Sequence, residues 1–390
     1  CDGAVYDGGG TEYSSVFANF VVTENTQSQS LTKAKRGYFV SMPELALILF
    51  CNLSDDTRGY TTAGWSAGTN LTGAPKAQYL NAHETRLFLG NVNTGTAYPC
   101  RYYFSSSGTG GSLSWDTTND YYVLPEPITG FAENGEDQLV FTKNTVFRAD
   151  AYAKKMVASV GAVNQDVIVT IGNWTLFADR NAVYATNQAT TQKVSQAVDP
   201  YMAGISSISA MRAAGLGGFY YLYVGTVTLE GETLSNVVLV YDVSQNKWSR
   251  LKLGTTVKVM GNFIASTEVE DVFFGNNNGE IFQLDEGDSQ DGSDYASFIE
   301  FPPISPGGGI ANFRRVDAWG STLNGIRVQF KTNKGDDWQS AEGELRGDYD
   351  SIKFNANGEH LYLRLLETGQ GDKFEIYRLR IGYSYARENV

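Results

Sequence analysis

Two histidines, three cysteines and one Gly-x-Ser-x-Gly pentapeptide are the most evident chemical resources of this 390-residue chain. In GWSAG, Gly64–Gly68, Ser66 would be the nucleophile of an elbow that needs a buried strand before it and a helix after it. Its flanks, DDTRGYTTA and TNLTGAP, are turn-formers, so Ser66 reads as part of a solvent loop. His83 and His360 stand far apart in the chain, whereas His-based catalytic zinc sites bring two or three together. His83, between NA and ETRLFLG, reads as the entry to a strand. Cys1, Cys51 and Cys100 cannot all pair with one another and show no Cys-x-x-Cys spacing, which points to neither a disulfide framework nor a structural zinc site.

Acidic and glycine-rich stretches are equally bare of a motif. Asp285–Asp294, DEGDSQDGSD, gathers carboxylates of the kind hard cations favour. With Gly292 at position six of a calcium loop, however, Gly287 and Ser289 fall at ligand positions one and three, so the stretch reads as a solvated loop between strands. Lys331–Trp338, KTNKGDDW, approximates an Asp-box turn with Lys331 and Asn333 in place of Ser and Asp; that box is a hairpin device, not a catalytic centre. Gly215–Gly218 lacks the third glycine of a dinucleotide loop and precedes a strand. Arg346-Gly347-Asp348 is a tripeptide common by chance, and the sequons at Asn52, Asn70 and Asn173 carry meaning only on a eukaryotic secretory route. A carboxylate pair for glycoside hydrolysis is defined by separation in space, and 43 acidic residues leave that hypothesis open. No catalytic, cofactor-binding or metal-ligating residue is assigned from these patterns.

The elements that would position any site are strands. The 50 aromatic residues and 42 glycines, the latter well above the usual ~7 %, belong to Gly-turned β-sheets. A net charge of −13 disfavours general electrostatic attachment to nucleic acid. The longest apolar run, Leu45–Cys51, is far shorter than the ~20 residues of a membrane-spanning helix. Helical spacing is confined to Ala149–Val160 and Ile205–Ala214.

One unit recurs: a short aromatic and aliphatic strand, a polar turn, then another strand. Its first strand is read at Leu45–Phe50, Arg86–Gly90, Gln138–Thr142, Thr175–Ala178, Tyr220–Gly225 and Asp271–Gly275. The centres Phe50, Phe88, Val140, Phe177, Leu222 and Phe273 are 38, 52, 37, 45 and 51 residues apart, the period of four-stranded propeller blades. A second strand follows at Asn144–Asp150, Asn181–Thr186, Val237–Asp242 and Gly279–Leu284. In Val237–Leu251 the strand, Tyr-Asp, turn and Trp layout places Trp248 between neighbouring sheets. Pro302–Gly309, PPISPGGG, is a Pro/Gly break, and about five alternating strands follow it: Phe313–Trp319, Ile326–Thr332, Ser351–Phe354, Leu361–Leu366 and Phe374–Tyr383. The expectation is an all-β chain: an N-terminal arm or closing strand (1–37), a β-propeller of about six blades (38–304) and a small C-terminal β-sandwich (305–390).

Several consecutive phrases resemble the propeller-type tail nozzle or hub proteins of short-tailed bacteriophages. They are Ala77–Asn91, Pro99–Leu124, Ile128–Asp150, Val160–Thr186, Lys193–Met202 and Glu280–Ile304, in the same order and leading into a terminal sandwich. The resemblance covers about three hundred residues and rests on order and texture. It implies a structural virion protein without enzymatic activity or cofactor, located in the tail. Six copies would form a ring continuing the DNA-ejection channel, with adaptor and tail fibre or tip proteins as neighbours, transient passage of duplex DNA without specific binding, and no membrane embedding. A carboxylate-lined lumen would keep the duplex from sticking. Loops Thr57–Gly73, Ser105–Ser114 and Asp285–Asp294 are the candidates for contacts between neighbours. Two alternatives stay open: a glycan-binding or glycan-cleaving propeller, lectin-like or sialidase-like, and a lipid-anchored surface propeller that turns on Cys1.

Overall fold

The computed structural model describes residues 36–385 apart from 43, 44, 46, 62–68, 72, 108–112, 150–153, 230, 265–269, 285–296, 308, 322, 324 and 368–373. Residues 1–35 of the expected arm, Ser66 and the acidic stretch Asp285–Asp294 therefore lie outside the described residues. So does the Cys1 on which the lipid-anchored alternative turns. The chain divides into two compact units, Cys1–Leu284 and Asp285–Val390.

The first unit is a run of antiparallel meanders, each paired in chain order. Blade one holds β1 (Tyr38–Met42), β2 (Leu47–Cys51), β3 (Arg58–Thr61) and β4 (Thr69–Asn70). Blade two holds β5 (Lys76–His83), β6 (Arg86–Asn93), β7 (Ala97–Phe104) and β8 (Tyr121–Val123). Blade three comprises β9 (Ile128–Asn134), β10 (Asp137–Thr142), β11 (Val146–Ala149) and β12 (Lys154–Ala158). A 3₁₀ turn at Gln165–Val167 leads into blade four, β13 (Val169–Ile171), β14 (Trp174–Ala178), β15 (Val183–Thr186) and β16 (Thr191–Lys193). One short helix, α1 (Asp199–Ala203), with Pro200 in its first turn, precedes blade five: β17 (Arg212–Leu216), β18 (Phe219–Leu229), β19 (Glu232–Asp242) and β20 (Lys247–Lys252). Blade six shows three strands among the described residues, β21 (Val259–Ile264), β22 (Glu270–Gly275) and β23 (Ile281–Gln283).

The first strands lie side by side: β1 against β5, β5 against β9, β9 against β13, β13 against β17 and β17 against β21. This is the radial arrangement of a β-propeller, in which the first strand of each blade is innermost. The six hydrophobic centres read from the sequence all fall in β2, β6, β10, β14, β18 and β22, so they are the second strands of the blades rather than the first. Burial gives the reason. In β6, Leu87 and Leu89 pack toward blade one while Phe88 packs toward blade three, because successive side chains leave opposite faces of a strand. In β10, Leu139 and Phe141 face blade four while Val140 faces blade two. A strand buried on both faces reads as an unbroken apolar run. The inner strands instead carry small or polar residues such as Ala77, Gly130, Ala213 and Gly215, and were invisible to that signal.

Other expectations are corrected. Ala149–Val160 is no helix: it includes the end of β11 and all of β12, whose Lys154, Lys155 and Met156 are exposed on the outer strand of a blade. Ile205–Ala214 carries only a single 3₁₀ turn, Ile208–Ala210, before β17 begins. Thr57–Gly73 is not one loop, since β3 and β4 lie within it.

The second unit packs two sheets. One has the order β24 (Ser297–Glu300), β29 (Tyr362–Glu367), β26 (Ile326–Lys331), β27 (Gln339–Ser340); the other has the order β28 (Tyr349–Gly358), β25 (Ala311–Ser321), β30 (Glu375–Tyr385). Phe313, Val316, Val328, Phe330, Leu363 and Leu365 fill the layer of side chains from both sheets. Because β24 pairs with β29 and Ile304 bridges Leu361, the Pro/Gly stretch at 302–309 lies inside this unit rather than at its border, and residues 297–304 do not belong to the propeller.

Candidate functional site

Blades one, two and five, together with the turn between blades three and four, send charged and phenolic side chains to one buried place. Its hub is Asp166. The turn that carries it is fixed locally: the Asn164 side chain accepts the Asp166 N–H at 2.9 Å, while Gln165 accepts from the Phe131 N–H at 2.7 Å and donates to the Phe131 carbonyl at 2.9 Å. Gln165 thus occupies the free edge of β9 and aims the next residue inward. Gly130 makes the fit possible, since a Cβ there would stand 2.6 Å from Ile168 Cδ1 and 2.7 Å from Gln165 Oε1.

Asp166 Oδ1 lies 2.7 Å from Arg36 Nη2, and Oδ2 lies 3.8 Å from Arg212 Nη1. The Tyr38 hydroxyl donates to Oδ2 at 3.4 Å. The Tyr38 ring stands 5.4 Å from that of Tyr79 on β5 and 5.7 Å from the Arg36 guanidinium. Arg212, the first residue of β17, also donates to the carbonyls of Lys258, Ser209 and Met211 at 2.6–2.8 Å, which ties blade five to the segment ahead of blade six. Tyr220 on β18 donates to the Val167 carbonyl at 2.8 Å. Arg36 stands just ahead of blade one and Asp166 between blades three and four, so their ion pair crosses the middle of the ring of inner strands. We call this cluster the axial clasp.

Burial sets its electrostatics. It lifts the Asp166 carboxyl above the usual carboxylate range, opposed by the Arg36 and Arg212 guanidiniums and the Tyr38 hydroxyl. Burial lowers Arg212, as does the like charge of Arg36, while Asp166 opposes them. Tyr79 is pushed up by burial to about 12, and Tyr38 is also held well above its ordinary value, so both phenols stay neutral donors at pH 7. Two guanidiniums on one carboxylate, with neutral phenols around them, make a strong attachment.

The residues singled out in the sequence are scattered relative to this cluster. His83, at the end of β5, is buried and meets Glu133 Oε1 of blade three at 3.2 Å, an inter-blade contact. His360 lies in the other unit. Cys51 is buried in β2 and Cys100 is partly buried, both unpaired; burial pushes the Cys51 thiol up, which makes it less reactive. Trp248 does what its position implied: it packs on Tyr241 at 4.8 Å and donates to the Val194 carbonyl at the edge of blade four at 2.7 Å. Lys331–Trp338 forms the turn between β26 and β27, with the Lys331 ammonium 4.9 Å from the Trp338 ring centre. Asn52 is buried, and its carbonyl oxygen accepts the N–H groups of Ser54 and Asp55, so its sequon is a turn. Among the described residues, no three His, Cys, Asp or Glu side chains gather as metal ligands, and no helix is long and apolar enough to cross a membrane.

No protein-family model and no curated protein matches the chain. Among solved structures, it is similar to BBS1N in a crystal complex with ARL6DN, at 12 % identity and a TM-score of 0.42, over 64 % of this chain and 77 % of that one. It is also similar to BamB from Moraxella catarrhalis, at 12 % identity and a TM-score of 0.38, over 84 % and 93 % of the two chains. Likeness this distant carries no functional argument, and the propeller assignment stands on the sheets themselves.

Arg36, Asp166 and Arg212 were missed by motif reading. Asp166 and Arg212 are lone charges in otherwise uncharged or apolar neighbourhoods, VNQDVIV and SAMRAAG, and that isolation is the only signal the sequence holds for them, whereas Arg36 is masked by the adjacent Lys33 and Lys35. Their meeting depends on separations of 46 and 130 residues, which only the succession of inner strands brings together.

Proposed function

We propose that this chain is a structural subunit of a bacteriophage tail, a nozzle or hub protein that assembles as a ring around the DNA-ejection channel. The observation that carries the reading beyond the family resemblance is the axial clasp. Propellers that bind small ligands in a central pocket need room there, whereas here Arg36, Asp166 and Arg212 meet in ion pairs that tie the first blade to the turn between the third and fourth and to the fifth. A propeller pinned across its middle is a stiff body whose remaining outer surfaces serve contacts with neighbours. Duplex DNA would then pass between copies, not through one propeller, and the net charge of −13 would keep it from adhering. Electron microscopy of the assembled protein tests this: a closed ring with an axial opening wide enough for duplex DNA is expected, and a strongly positive lumen wall would count against it.

A second reading, glycan binding, is favoured by one feature of blade two. An open hollow of about 560 Å³ there is lined by Phe104, Tyr121 and Tyr122 together with Arg86, Asn119 and Asp120, aromatic faces beside hydrogen-bonding groups of the kind that hold sugar rings. A glycan array answers it, with Tyr122→Ala as the control that should abolish any signal.

A further inference from the structure

The outer face of the β28-β25-β30 sheet carries a row of cations on a chain that is otherwise acidic. Registers place Lys353, Arg315 and Gly382 side by side, then Ser351, Asp317 and Arg380, then Tyr349, Trp319 and Arg378. Lys353, Arg315, Arg378 and Arg380 are exposed. The only acid in these rows, Asp317, is 0 % exposed and lies beneath two of them: Arg315 Nε is 3.1 Å from one of its oxygens and Arg380 Nε 2.7 Å from the other. Arg378 and Arg380 stand 5.1 and 5.6 Å from the Trp319 ring centre, and Tyr349 stacks beside it at 4.8 Å. Arg315 and Arg380 are held through Nε on Asp317 and Arg378 lies against the Trp319 ring, so the terminal nitrogens of Arg315 and Arg380 are left over from the Asp317 pairs for other carboxylates.

The matching surface is on the other unit of the same chain. Glu84, in the turn from β5 to β6, and Glu133 and Glu136, around the turn from β9 to β10, are exposed. They belong to one end of the propeller, because Glu133 touches His83 next to Glu84. Asp116 and Asp120 join that end, since the segment between β7 and β8 is tied to Thr85 through Ser107. The whole first unit carries 18 Lys and Arg against 25 Asp and Glu.

We infer that the cationic face of one copy's C-terminal sandwich docks on the acidic end of blades two and three of a second copy of this chain. This rests on the ring reading proposed above and names the contact that builds it. Two different, complementary patches on one chain make a heterologous contact, the kind that propagates around a ring instead of stopping at a dimer. Charged patches of this sort set partner choice and register.

The test uses charge reversal at positions outside the ion pairs to Asp317 and between His83 and Glu133. K353E/R378E inverts the face while leaving Arg315 and Arg380 on Asp317, and E84K/D120K/E136K inverts the propeller end, turning five carboxylates into two carboxylates and three ammoniums. Each variant alone should run as a 42.6 kDa monomer with an unchanged melting temperature, and an equimolar mixture should recover the assembly, because each then offers the partner the other lacks. Wild-type rings should fall apart in roughly 1 M salt, where the screening length is only ~3 Å. Rings that persist in either reversed variant overturn the contact while leaving the ring reading intact. Monomers that fail to recover on mixing overturn the pairing of these two patches, and a wild-type protein that is itself monomeric overturns the ring reading with it.

Discussion

Asp166 and Asp317 show how the same residue type is used in opposite ways by its surroundings. Among the described residues Asp166 is the one acid paired with the two largely buried guanidiniums of Arg36 and Arg212, so Asp166→Ala should cost about 3–5 kcal/mol by leaving them uncompensated. Urea titration of the full chain followed by tryptophan fluorescence measures it, and a loss below ~1 kcal/mol would mean the clasp is not a structural tie. At Asp317, burial works against ionisation, but the Ser351 hydroxyl and the Arg380 and Arg315 guanidiniums prevail and hold the carboxyl below the usual range. A depressed folded value means the native state prefers the carboxylate, so the stability it contributes is complete above the unfolded value of ~3.9 and is lost as pH falls below it. Acid titration of the melting temperature should show this loss below about pH 4, and Asp317→Asn should flatten that part of the curve.

At the scale of elements, the decisive feature is that each blade is buried on both faces in its second strand and crowded near the axis in its first. Gly130→Ala tests the crowding. A methyl group 2.6 Å from Ile168 and 2.7 Å from Gln165 must push the 3₁₀ turn away from β9, at a cost of about 1–3 kcal/mol. Hydrogen exchange should show the loss concentrated at Phe131, whose N–H is bound by Gln165, and unchanged protection there would contradict the account. The same geometry explains what could be read beforehand. RLFLG, QLVFT and YYLYVG were legible because two buried faces leave no polar alternation. KAQYLNAH and ITGFAEN were not, because axial strands take small and polar residues whose partners are other blades. The helix expected at Ala149–Val160 failed for a related reason: alanines and apolar residues at helical spacing also suit an outer strand half exposed to water. The sandwich strands were found by their alternation. β24 was not, because its partner β29 is some 65 residues away and the Pro/Gly stretch after it imitates a linker.

At the scale of the whole molecule, the chain combines a propeller with an ion-paired cluster among its inner strands and a sandwich that carries cations on one face. The axial clasp ties blades one and five to the turn between blades three and four, and the proposed contact between complementary patches would join copies of the chain. None of the clasp residues was legible as a site, since Asp166 and Arg212 stand alone in apolar stretches that do not declare a partner, and Arg36 reads as one cation of a basic run with Lys33 and Lys35. The most direct test of the central claim is the native mass of the wild-type protein at low ionic strength. The account predicts a single closed assembly with a mass near six times that of the 42.6 kDa chain, and a monodisperse monomer at 42.6 kDa would contradict it.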